Sequence, residues 1–225
     1  MDQQRGRPVL IEFWDFCRVN SLRTLPYVRG WHERYADAGL RVVSVHAPGF
    51  APGRDEDVVA DAVARLGVEH PVALDTELEL WTLYGNEGWP ARYLFDGDGT
   101  LVHYHYGEGA YDETELAIQE QLGLDGDGAP DLIEPVRPTD DPQARIVVPT
   151  ADHPGAYSGA YEAGEVWAVV SGAGEIGVNG ELLVIEHPGA VLLVAHEHHT
   201  TATLELDVGD GVTCHATCFM PGLAP

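Results

Sequence analysis

Lysine is absent from this 225-residue chain: its 12 basic residues are all arginine, set against 37 Asp and Glu, for a formal net charge of −25. Nucleic acid and anionic lipid headgroups are held by basic residues that displace counterions, so a field of this sign excludes both as partners. Cysteine is scarce as well. Cys17, Cys214 and Cys218 cannot all pair, and a chain of this length needs no disulfide staples, which fits a reducing compartment. Cys214 and Cys218 stand four apart in an expected strand, about 13 Å at normal strand rise, too far to bridge unless a bulge intervenes. No apolar run approaches the roughly 20 residues that span a bilayer. Residues 1–7 lead straight into a strand-like run without a targeting pattern, so a soluble cytoplasmic protein is expected.

What is present is enough to build a core, since hydrophobic residues make up 44% and charged residues 22%, ordinary values for a globular chain. The apolar run 9–14 reads as a buried parallel strand, followed by a helical pattern over 21–38. A second buried run, 40–46, is broken by Pro48, Gly49, Pro52 and Gly53 before a helix over 56–66. Residues 71–74 read as a short strand, 76–84 as a short helix, and 92–95 with 101–106 as a hairpin around Asp96-Gly97-Asp98-Gly99. A helix over 112–122, with Asp112 as N-cap, closes the unit. Alternating strands and helices imply a parallel sheet. Residues 124–142 are dense in Gly, Pro and Asp and read as a linker. Beyond it, β-rich runs at 166–171, 174–178, 182–185, 191–195, 201–208 and 212–219 suggest an antiparallel sandwich.

Particular stretches narrow the first unit. Phe13-Trp14 precedes the first helix, Pro26 lies inside it, and Trp89-Pro90-Ala91 precedes a strand. With Leu22-Arg23-Thr24-Leu25-Pro26-Tyr27, Trp31-His32-Glu33-Arg34-Tyr35, Val45-His46-Ala47-Pro48-Gly49-Phe50, Trp81-Thr82-Leu83-Tyr84-Gly85-Asn86 and Gly107-Glu108-Gly109-Ala110-Tyr111, the chain resembles the TlpA/DipZ type of thioredoxin-like redoxins. The resemblance implies an α/β thioredoxin-like domain over residues 1–123, a linker over 124–142 and a small all-β sandwich over 143–225. The sandwich is similar to the carbohydrate-binding-module-like domain that follows such units, on Val178-Asn179-Gly180-Glu181, residues 187–194, Thr203-Leu204-Glu205-Leu206 and Phe219-Met220-Pro221-Gly222. Tyr157, Tyr161, Trp167 and Phe219 are its aromatics, and Trp167 is expected in the core.

In that family a tryptophan stands four residues before the first cysteine of a CxxC pair and twelve before the helix proline. Trp14 and Pro26 keep the twelve, so the pair falls on Arg18 and Ser21. Dithiol exchange needs a thiolate at a helix N-terminus and a second thiol to release the mixed disulfide. Neither position holds sulfur. The resemblance further implies a cis bond before Pro90, facing Arg18 and Ser21 across a shallow groove, with Trp14, Cys17 and Trp89 around it. Cys17 sits one residue early, in a slot the family packs, but it stays available as the nucleophile of an alternative, thiol-dependent antioxidant or oxidoreductase reading. The main expectation is a non-catalytic protein that binds a peptide, protein or other ligand, with a carbohydrate-binding accessory module as a third reading. Arg18 at a helix start, with Arg23 near it, would attract a carboxylate unless Asp15 pairs with it. No cofactor is expected. His196-Glu197-His198-His199 is the richest ligand cluster, with His196 and His198 facing one way if extended, but a third ligand is not visible and a polar hairpin tip reads equally well.

Overall fold

Six consecutive buried residues form β1 (Val9–Trp14) because its two faces feed two different cores. Leu10 joins Tyr27, Val28, Trp31, Tyr35 and Ile118 on one side, while Val9, Ile11 and Phe13 join Val45, Ala47, Ala91 and Tyr93 on the other. A strand covered on both faces reads as a continuous apolar run. Glu12 shares the Leu10 face and is buried there.

The computed structural model describes residues 5–225, so the first four residues of the expected first domain lie outside the described residues. The chain divides into two compact units, Met1–Glu134 and Pro135–Pro225. The first contains β1, α1 (Val19–Tyr35), β2 (Arg41–His46), α2 (Glu56–Arg65), β3 (Val72–Leu74), α3 (Glu79–Leu83), β4 (Ala91–Phe95), β5 (Leu101–Tyr106) and α4 (Tyr111–Leu122). Its sheet runs β3-β2-β1-β4-β5, with β1 to β3 parallel and β4 and β5 antiparallel. This is the thioredoxin-like arrangement. The β4–β5 turn is held by the Asp96 carboxylate, which accepts from the amides of Asp98 (2.9 Å) and Thr100 (2.8 Å).

Two local expectations are corrected. Asp112 is not the cap of α4: Ala110, in the left-handed region at φ 48°, holds that place, and Asp112 lies in the first turn beside Glu113, where the helix dipole favours acids. Residues 124–134, expected as the start of a linker, lie along the first unit. Ile133 Cδ1 rests so close to Gly30 that a β-carbon there would meet it at 2.6 Å. The buried Glu115 carboxylate collects Trp31 Nε1 (3.2 Å), Tyr35 Oη (2.7 Å), Arg34 Nη1 (3.2 Å) and the Ile133 amide (2.9 Å), and Gln119 Nε2 donates to the Pro130 carbonyl at 2.9 Å.

The second unit is built from antiparallel sheets: β6 (Ile146–Val147), β7 (His153–Pro154), β8 (Gly159–Gly172), β9 (Gly174–Val178), β10 (Glu181–Ile185), β11 (Gly189–Leu204), β12 (Leu206–Val208), β13 (Val212–Met220) and β14 (Gly222–Leu223). The orders are β11-β8-β13-β7, β10-β9-β12 and β14-β6. The first two sheets close over one core that includes Tyr161, Val166, Ala168, Val170, Ile176, Val178, Ile185 and Phe219. Trp167 alternates away from that core and is half-buried, its indole donating to Glu165 at 2.9 Å, which corrects its expected core placement. β13 carries a bulge between Cys214 and Ala216, yet none of the three cysteines is in a disulfide. Among the described residues no helix is long and apolar enough to cross a membrane.

Candidate functional site

β1 delivers the chain at Trp14 into the turn Asp15-Phe16-Cys17, and α1 begins with Arg18 in the N-cap position at φ −99°, ψ 117°. Arginine offers no cap oxygen, so the buried Asp15 carboxylate organises this corner instead. One oxygen accepts from the Cys17 amide at 2.8 Å and the other from the Gly49 amide at 2.7 Å. His46 Nε2 approaches the same carboxylate at 3.4 Å, with its ring stacked on Phe16 and edge-on to Trp14. Ser21, expected at the groove surface, is fully buried, and its hydroxyl accepts from the Asp15 amide at 3.2 Å. It braces the turn from beneath.

Arg18 does not bridge to Asp15. Its guanidinium carbon lies 4.5 Å from the ring centroid of Phe50 and 4.5 Å from that of Trp89, a cation held between two π faces. The fit depends on Gly49, where a β-carbon would stand 2.5 Å from Arg18 Nε. That Nε is buried and has no hydrogen-bond partner, while the side chain as a whole stays partly exposed. Trp89 is fixed by its indole, which donates to the Ala47 carbonyl at 2.8 Å, and by stacking on Trp81 at 4.1 Å. The Trp89–Pro90 bond is cis. Arg23, expected to add to the positive field, is instead buried and paired with Glu108 at 2.9 Å.

Cys17 has no exposed surface. Burial drives its thiol far above the ordinary range, and the Asp15 carboxylate pushes in the same direction against the smaller pull of Arg18. A thiol in that state is a poor nucleophile. The corner thus presents a planar cation, two aromatic faces and no accessible sulfur.

Sequence reasoning missed two parts of this region. In the sequence Gly49 reads as a chain breaker and, with Phe50, as part of a family-like stretch, and neither reading signals the contact with Arg18. The other is a buried polar row on the Leu10 face, signalled by a lone glutamate in an apolar strand. Glu12 stands opposite Ser44 on one side and Arg92 on the other. The Ser44 hydroxyl donates to Glu12 at 3.0 Å and meets His70 Nε2 at 2.7 Å. Burial raises Glu12 to about 7 against the lowering pull of Ser44 and Arg92, and it depresses His70 to about 4. Arg92, also buried, donates to the Gly109 carbonyl and lies over Trp31 and Tyr111.

In the second unit the histidine cluster is not a hairpin tip. Ala195 pairs with Glu165 and Thr200 with Ala163, so residues 196–199 bulge out of β11 opposite Gly164. The bulge breaks the alternation that would have aligned His196 with His198. His196 Nε2 is engaged by the Tyr161 hydroxyl at 2.8 Å, and no group of three or more His, Cys, Asp or Glu able to hold a metal ion occurs among the described residues.

No protein-family model matches the chain. The Protein DipZ of Mycobacterium tuberculosis is 43% identical over 118 residues, which cover 52% of this chain but only 17% of DipZ. The thiol-disulfide oxidoreductase YkuV of Bacillus subtilis is 31% identical over 116 residues, covering 52% of this chain and 78% of YkuV. Among solved structures, a thioredoxin-like protein in its oxidized form matches 54% of this chain and 82% of its own, with TM-score 0.50 and 28% identity. A thiol-disulfide isomerase from Corynebacterium glutamicum matches with TM-score 0.51 at 18% identity over 54% of this chain and 84% of its own.

Proposed function

Because the chain belongs to the TlpA/DipZ type of thioredoxin-like redoxins, a family whose exchange chemistry needs sulfur where this chain has Arg18 and Ser21, we propose that its first unit is a redox-inert binding domain. The observation that carries the reading is Arg18 itself, a permanent cation clamped between Phe50 and Trp89 at the start of α1. A guanidinium there cannot attack a disulfide, and its free edge suits a carboxylate, such as that of an acidic peptide, laid along the Trp89–Pro90 backbone. Trp89 reports the event directly. Titration of acidic peptides into the wild type should change tryptophan fluorescence, and the change should vanish in Arg18→Ala.

The relatives favour a second reading more than this one. YkuV is named a thiol-disulfide oxidoreductase, and by that analogy the chain would exchange disulfides through Cys17. The burial of Cys17 and its raised thiol pKa weigh against this. Insulin reduction and peroxide consumption separate the two: turnover in the wild type that disappears in Cys17→Ser would establish the second reading and remove the first.

A further inference from the structure

We propose that a cavity at the opposite end of the sheet from Arg18 binds a small, multiply charged anion of the phosphate type. The cavity measures about 510 Å³, is lined by Arg5, Arg7, Arg41, His32, Val42 and Pro71 among others, and has no acidic residue in its wall. Its volume falls within the range of small-ligand sites. Three of only 12 basic residues converge here in a chain carrying 37 acids. The chain's repulsion of polyanions is a long-range effect, screened beyond about 10 Å at 0.1 M salt, whereas the cavity wall acts at contact.

The arrangement is set by the sheet. Arg41 starts β2, and its amide donates to the Pro8 carbonyl at 2.9 Å, so Arg7 and Arg41 enter the cavity from the starts of adjacent strands. Like charges placed side by side disfavour each other unless an anion lies between them. Neither Arg7 nor Arg41 has an ion pair among the described residues, and both are exposed, with their donors available. Arg5, which has an interaction of its own, completes the rim. His32, from α1, also lines the cavity. β3 begins to pair with β2 only at Ser44, which leaves residues 41–43 without a strand neighbour on that side. Several guanidiniums around one space match the paired oxygens of a phosphate better than a single charge.

The inference does not rest on the reading of Arg18, and its test keeps the two apart. Pyrophosphate and citrate are titrated calorimetrically into the wild type, Arg7→Ala/Arg41→Ala and Arg18→Ala at about 0.1 M salt, with melting temperature as a second readout. Saturable one-to-one binding of pyrophosphate is expected, weakened at least tenfold in the double variant and unchanged in Arg18→Ala, with citrate at least tenfold weaker on the wild type. Both mutated side chains are exposed and repel each other without ligand, so the ligand-free double variant should melt no lower than the wild type. Binding unchanged in the double variant, or no saturable binding of pyrophosphate by the wild type, would overturn the site. Citrate binding as tightly as pyrophosphate would overturn its phosphate character.

Discussion

The guanidinium carbon of Arg18 lies over the Trp89 ring, 4.5 Å from its centroid. This pair lies at the start of α1, and it makes the corner measurable by fluorescence. Arg18→Ala should shift tryptophan emission and lower stability by about 1 to 2 kcal/mol, the worth of a partly desolvated cation–π contact. Gly49→Ala should do much the same, because its new β-carbon would displace Arg18 Nε, the outer part of a flexible side chain. Urea midpoints of the two single variants and the double variant check this. Effects that simply add would show that Gly49 and Arg18 are independent.

Restoring sulfur at Arg18 and Ser21 tests the proposed loss of the dithiol. Arg18→Cys/Ser21→Cys places a thiol at the start of α1 and a second in its first turn, where the helix N-terminus stabilises a thiolate. Insulin reduction should appear in the double variant and be absent from Arg18→Cys alone. A double variant that forms the disulfide yet shows no turnover would mean that more than the cysteines has been lost.

Cys17 should be silent in the native protein. A thiol-specific disulfide reagent should give the same native count for wild type and Cys17→Ser, and the two should differ by one thiol only in denaturant. A lower native count in Cys17→Ser would show that the buried thiol is reached.

Glu12 and His70 give stability opposite slopes with pH. Glu12 is raised from 4.5 to about 7 in the fold, so the folded state holds a proton that the unfolded state has released, and stability falls as pH rises from about 4.5 through 7. The loss amounts to about 3 kcal/mol at 1.36 kcal/mol per unit. His70 is lowered from 6.5 to about 4; there the unfolded state takes up the proton first, and stability falls as pH drops from 6.5 towards 4. Glu12→Gln keeps an acceptor for Ser44 and should flatten the decline between pH 6.5 and 8 in urea titrations. A decline as steep as that of the wild type would assign it to another group.

The order of elements in the first unit is legible in the sequence because β1, β2 and β4 are apolar runs and α1, α2 and α4 carry helical patterns. The spacing of Trp14 and Pro26 points to Arg18 and Ser21, and the structure puts these two at the start of α1. What stays hidden is where polar side chains turn. Ser21 and Arg23 look surface-bound in a list of residues, yet both are buried, Arg23 on the helix face of Tyr27 and Trp31 and Ser21 against the Asp15 turn. Residues 124–134 have linker composition, but their hold on the first unit depends on Glu115, a distant carboxylate that no local pattern pairs with Ile133. In the second unit, the strand period over 191–199 is interrupted by a four-residue bulge, which alternation cannot anticipate.

Glu115 also fixes how the first unit would respond to a pull on its C-terminal end. Tension applied at Glu134 would reach the Ile133 amide and the Asp131 and Pro130 carbonyls before any sheet bond, held by Glu115 and Gln119, one turn apart on α4, and by Arg34 of α1. The load would then pass along α4 and, through Trp31, Arg34 and Tyr35, into α1. Residues 124–134 therefore act as a buckle: they would peel away first and leave the strands registered.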